Sequence, residues 1–157
     1  MKFVLQLIFA FTLVALSYGE DDDSFFPTSD RGEDDTLSAF EEHWYSKNLI
    51  LMGEDSIFKR REQKDLEIYR FTLLPSWGEP RSVTISKGGD ELATIRHARL
   101  DGDGLFGGEL VEKEMRELSE EDLGRLRTLF ESTAFSGQTT RDPMRGLDGS
   151  EWICEGL

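Results

Sequence analysis

The sequence predicts an α+β fold, and three observations carry that prediction. Apolar residues recur at helical spacing over Thr36–Met52 and again over Ser119–Phe135. Between them, from Leu66 to Leu118, the period falls to two, with breaks at the proline- and glycine-rich 75–80 and at Lys87-Gly88-Gly89-Asp90. A last alternating segment, Ser150 to Leu157, follows the second helix. Helix, strands, helix, strand is the order of a small antiparallel sheet of four to five strands packed with two helices, not of alternating βαβ units.

The chain starts MKFVLQLIFAFTLVALSYGEDDD. Lys2 supplies a positive start, Phe3–Leu16 an apolar run, and Ser17 and Gly19 small residues at the spacing of a signal-peptidase site. The run falls short of the roughly 20 residues needed to span a bilayer. Residues 1–19 are therefore expected to be a cleaved signal peptide, with an uncleaved membrane anchor as the alternative. No cysteine near the cut offers a lipid attachment point. Residues 20–36 hold acids, Ser, Thr, Gly and Pro around two aromatics and read as a disordered acidic linker. Residues 37–157 then form a single α+β domain, with no internal repeat.

In that domain the first helix is expected to turn Leu37, Phe40, Trp44, Lys47 and Ile50 or Leu51 inward. Thr36 or Ser38 would be its N-cap and Gly53 its stop. LEIYRFTLL is a strand with Leu66, Ile68, Arg70 and Thr72 on one side and Glu67, Tyr69, Phe71 and Leu73 on the other. Val83 and Ile85 lead into the turn at 87–90, and the return strand alternates Leu92, Thr94 and Arg96 with Ala93, Ile95 and His97. Gly108–Leu118 reads as an exposed strand. Ser119 with Asp122 marks the start of the second helix, whose stripe is Leu123, Leu126, Leu129 and Phe130.

The chain carries 18 basic and 32 acidic residues. Removal of residues 1–19 takes Lys2 and no acid, leaving 17 against 32, a net charge of −15. That charge repels nucleic acid and anionic lipid and suits cations or a basic protein surface; the expected partner is an unknown protein or small molecule. Cys154 is the only cysteine, so no internal disulfide forms and the core relies on burial. A monomer is expected; edge-to-edge pairing through the last strand, with Cys154 as a cross-link, is the alternative.

LDGDGLFGGELVE, residues 100–112, looks most like a metal loop. Asp101, Asp103 and Glu112 fit positions one, three and twelve of a calcium-binding EF-hand, but Leu105 and Phe106 stand where a ligand and a glycine are required. A glycine-rich turn between strands is the expectation, with no metal and no cofactor. His43 and His97 fall in different elements, outside any nucleophile or zinc motif. Cys154 reads as a packed thiol and Ser150 as a turn or strand-start residue. No catalytic, cofactor-binding or metal-binding residue is assigned.

YRFTLLPSWGEPRSVTI (Tyr69–Ile85), the glycine-rich loop and GLDGSEWICEG (Gly146–Gly156) resemble an uncharacterised family of bacterial exported proteins. The marks of that family are a YRF…P strand and a GLDG-x-x-W-x-x-E-G strand. The resemblance covers about Trp44 to Leu157 and implies export and a small α+β domain, with no activity or catalytic residues to transfer. Leu74 departs from the family's tryptophan-containing pattern. The chain also looks C-terminally short, since similar proteins continue beyond the GLDG strand. The functional expectation is a secreted or periplasmic, non-catalytic binding or envelope-associated module. The alternative is a hydrolase or other enzyme whose acids converge only in three dimensions. A deep pocket of acids would favour the enzyme, and a shallow exposed sheet face the binder.

Overall fold

A computed structural model describes residues 24–26, 37–133, 135 and 149–157. The expected signal peptide and most of the expected linker lie outside these residues.

Helix α1 (Ala39–Leu51) begins at Ser38, which accepts from the Glu41 backbone N–H while the Glu41 carboxylate accepts from the Ser38 N–H. This reciprocal pair explains why Ser38 is the cap rather than Thr36. The inward face is only partly the expected one: Leu37 and Trp44 pack, partly buried, against the core, but Phe40 and Ile50 do not. Tyr45, Ser46, Asn48, Leu49 and Met52 are buried, whereas Phe40 and Ile50 are 62% and 61% exposed. The buried row runs one residue on from the expected one, about 100° around the helix, with Trp44 at its margin. The surface beneath α1 is partly polar, so the helix presents Tyr45 and Asn48 to it and leaves apolar residues outside.

Among the described residues five strands follow in one antiparallel sheet: β1 (Leu66–Pro75), β2 (Arg81–Gly88), β3 (Thr94–Leu100), β4 (Leu110–Glu117) and β5 (Ser150–Gly156). Their spatial order is β4-β3-β2-β1-β5. The α+β architecture is thus as expected, five strands with two helices. Helix α2 (Glu120–Ser132) starts at Ser119, whose hydroxyl accepts from the Asp122 N–H.

Register assigns the side chains to two faces. Arg70 lies opposite Thr84, and Thr84 opposite Arg96, so these three share the α1 face with Ile68, Thr72, Leu74, Ser82 and Ala98. The other face carries Tyr69, Phe71, Ile85, Ile95 and His97. There α2 packs Leu123 and Leu126 against Tyr69, Ile85 and Ile95. Phe130 stacks on Tyr69 and Phe71 with centroids 4.3 and 5.7 Å away. Leu129, expected in the stripe, is 58% exposed.

The α1 face buries an apolar cluster of Tyr45, Leu49, Met52, Leu74, Ala98 and Leu100, together with Phe25 and Phe26. Those two phenylalanines belong to the stretch expected as a disordered linker, yet they are 8% and 7% exposed. The Phe25 carbonyl accepts from Ser56 Oγ, and the Phe26 ring meets Tyr45 edge-on at 6.2 Å. Burying two aromatic rings anchors this point of an otherwise acidic segment.

Strand β5 pairs only with β1 among the described residues. Ile68 and Leu157 exchange both backbone bonds, at 3.2 and 2.9 Å, and Ser76 N–H donates to the Gly149 carbonyl at 2.8 Å. By antiparallel alternation, Glu151, Ile153 and Glu155 point their backbone groups at β1, and Trp152 and Cys154 point theirs away.

Candidate functional site

The functional groups most densely brought together lie beneath α1. Glu54 follows the helix through Gly53, whose φ of 69° makes the reversal, and its N–H donates to the Leu49 carbonyl. The turn aims the Glu54 carboxylate, 1% exposed, at the middle of the sheet. It accepts from Ser82 Oγ and Thr84 Oγ1, each at 2.9 Å, from Arg70 Nη1 at 3.4 Å and from Arg96 Nη2. Arg70, also 1% exposed, grips Glu155 through Nε at 2.7 Å and Nη2 at 2.8 Å, and donates to the Asp55 carbonyl at 2.8 Å. Arg96 also donates to the Gly53 carbonyl at 3.0 Å. Two carboxylates and two guanidiniums balance in charge. One helix end is thereby tied to β1, β2, β3 and β5.

This arrangement holds charge but offers little chemistry. A carboxylate facing two guanidiniums and two hydroxyls has its lone pairs occupied, and Arg does not act as an acid near neutrality. Glu54 and Arg70 also lie away from the surface, where a substrate would arrive.

The second constellation lies on the open half of the α2 face. Glu112 accepts from Arg99 Nε at 2.8 Å and meets His97 Nδ1 at 3.0 Å, and Arg99 also donates to Glu79 at 2.8 Å. The Arg99 hydrogen bond holds the Glu112 carboxyl below its ordinary range, helped by His97. The cross-strand row runs His97, Val83, Phe71, Cys154. Three strand spacings put His97 roughly 14 Å from Cys154, so the two do not form a nucleophile–base pair. Burial, then the neighbouring Glu155, pushes the Cys154 thiol up. His43 is exposed on α1, across the sheet from His97.

The residues of the apparent metal loop have separate tasks. Asp101 Oδ1 accepts from the Glu109 N–H at 2.8 Å, and Asp103 Oδ1 caps the Leu105 and Phe106 N–H groups at 3.1 and 2.7 Å. Glu112 is out on β4 with Arg99 and His97. A Cβ at Gly102 would come 1.8 Å from the Gly107 carbonyl oxygen, which explains the glycines. Among the described residues, no group of three or more His, Cys, Asp or Glu is arranged to hold a metal ion. Ser150 opens β5 opposite Pro75.

At the far end of the α2 face, Asp65, Glu67, Lys87, Gly89, Asp90 and Arg127 line an open depression of about 430 Å³. Arg127 Nε donates to Glu67 at 2.8 Å, and the Tyr69 hydroxyl donates to the same carboxylate at 2.8 Å. Arg127 keeps the Glu67 carboxyl low, while burial and the Glu67 charge push the Tyr69 phenol up to about 12. Glu67 is paired with Arg127 and Lys87 with Glu120.

Sequence reading assigned none of these residues a role. The one signal for the α1-side network was the run of polar residues at alternate positions, Arg70 and Thr72, Ser82 and Thr84, and Arg96. Each reads as solvent-facing in a strand taken alone. A scan of protein-family models finds no match for the chain, and searches of curated proteins and of solved structures find none either.

Proposed function

We propose that this chain is an exported, non-catalytic binding module that recognises a protein partner through the open half of its α2-side sheet face. What supports the reading is one observation. Trp152 stands 65% exposed on a strand, level with Leu73 on β1, beyond the area that α2 covers. A large aromatic side chain fixed on a sheet contributes contact area with little loss of conformational freedom on binding. Export is supported by the sequence of residues 1–19 and by the resemblance to bacterial exported proteins. Among the described residues no helix is long and apolar enough to cross a membrane.

The test is capture from periplasmic extract on immobilised protein, with wild type and Trp152→Ala compared side by side. A partner retained by wild type and lost by the folded variant is the expected result. Equal retention by both, or the same proteins on a blank support, sinks the reading.

A further inference from the structure

We infer that the outer edge of β5 is a strand acceptor, and that the segment it takes alternates basic residues with apolar ones. The inference rests on the proposed binding role and gives the partner a chemistry. Its first support is backbone geometry. The alternation fixed by the Ile68–Leu157 and Ser76–Gly149 bonds leaves the N–H and C=O groups of Trp152 and Cys154 pointing away from β1. Among the described residues no strand pairs with them. An extended segment laid beside β5 would meet both residues' backbone groups, the mode of recognition by strand addition.

Side chains set what that segment must carry. On the α2 face its residues would lie beside Trp152 and Cys154, a surface that suits apolar groups. On the α1 face they would lie beside Glu151 and Glu155. Arg70 already neutralises Glu155, whereas Glu151 has only the Tyr45 hydroxyl, at 3.0 Å, among the described residues. The whole chain carries −14. Basic residues at alternate positions therefore complement the edge locally and at long range.

The same parity counts against a second copy. Two β5 strands paired antiparallel must join even-numbered to even-numbered residues, because those carry the outward groups. Glu151 and Glu155 of one chain then face or neighbour those of the other, and like charges across strands are destabilising. The opposite edge is a poorer acceptor, since five of the eight residues of β4 are charged, in the manner of protected edges.

The probe is a short synthetic peptide alternating lysine with valine, titrated into the full chain. Binding is followed calorimetrically and by amide hydrogen exchange. Two controls replace its lysines with glutamate or methylate the backbone nitrogens of its bonding edge. A third is the variant Cys154→Pro, which removes an outward N–H and leaves the β1 ladder its partners. The lysine peptide should slow exchange at Trp152 and Cys154 and bind at least tenfold tighter than the glutamate peptide. Methylation of the peptide or Cys154→Pro should abolish binding. Should Cys154→Pro fail to fold, the methylated peptide decides alone. Unchanged exchange at both amides, or equal affinity for the two peptides, overturns the inference. So does a dimer of the free chain in sedimentation with both amides already protected. If Trp152-dependent capture persists while the amides stay unprotected, the face binds without strand addition, and the proposed function outlives this inference.

Discussion

The two faces of the sheet are held by different physics. Under α1 the centre is ionic: Glu54, Arg70, Arg96 and Glu155 with Ser82 and Thr84, ringed by apolar side chains. Under α2 it is aromatic and aliphatic: Tyr69 and Phe71 against Phe130, and Ile85 against Leu123. Apolar burial tolerates sliding, because one methyl contact replaces another. A bidentate Arg–carboxylate pair does not. Both faces bury apolar groups, but only the α1 side adds an ionic centre, and that centre sets the geometry in which β1, β2, β3 and β5 meet.

Breaking the ionic side should cost most. Arg70→Met leaves the Glu155 carboxylate without its guanidinium and Glu54 with Arg96 as its remaining guanidinium, beside Ser82 and Thr84. Loss of one partner of a buried pair costs about 3–5 kcal/mol, and the denaturant midpoint should fall accordingly. Arg70→Met combined with Glu155→Leu should regain much of that loss, since well-packed apolar groups replace a buried pair at little cost. A double variant whose loss equals the sum of the Arg70→Met and Glu155→Leu losses would mean that the residues act independently.

On the aromatic side, Phe130→Ala should cost less. Full truncation of a core Phe costs about 3–5 kcal/mol, and Phe130 is only half-buried. A loss of about 2–3 kcal/mol on equilibrium unfolding is expected. If it exceeds that of Arg70→Met, the ranking of the two faces is reversed.

The Glu67–Arg127 bridge, at the margin of the aromatic side, should have a smaller and pH-dependent effect. Arg127 holds the Glu67 carboxyl below its ordinary value of 4.5. The bridge therefore stabilises fully above that value and fades as pH falls through the lowered folded one. Glu67→Gln should be less stable than wild type at neutral pH, and the gap should close in strong acid. A gap independent of pH would assign the loss to packing. The smallest effect is a rate. With its thiol pushed up, Cys154 should alkylate more slowly at neutral pH than free cysteine, although it is exposed. A faster reaction would contradict that environment.

Much of the fold was legible because it follows from local signals. The turn at 87–90 sets the β2–β3 hairpin, and Ser119 with Asp122 marks the start of α2. The candidate site was not legible in this way. Arg70, Thr84 and Arg96 become one row only through register, a relation between strands that no single strand displays. The inward face of α1 was partly misread for a like reason, since Asn48 belongs inside only because its Nδ2 reaches the Gly104 carbonyl, in the loop between β3 and β4, at 2.8 Å. Phe25 and Phe26 were hidden by their acidic neighbours, which dominate the average character of that stretch.

The clamp between Arg70 and Glu155 also has a consequence for folding kinetics. β1 to β4 are joined by successive short connections, whereas the clamp spans 85 residues of sequence. Local hairpins close quickly, and distant pairings wait until their ordering cost can be recovered. The four-stranded meander should form in the transition state, with β5 arriving on the native side of the barrier. Removing the clamp should then speed unfolding and leave the folding rate nearly unchanged. The lifetime of the folded chain would be governed by how firmly one arginine holds its last strand.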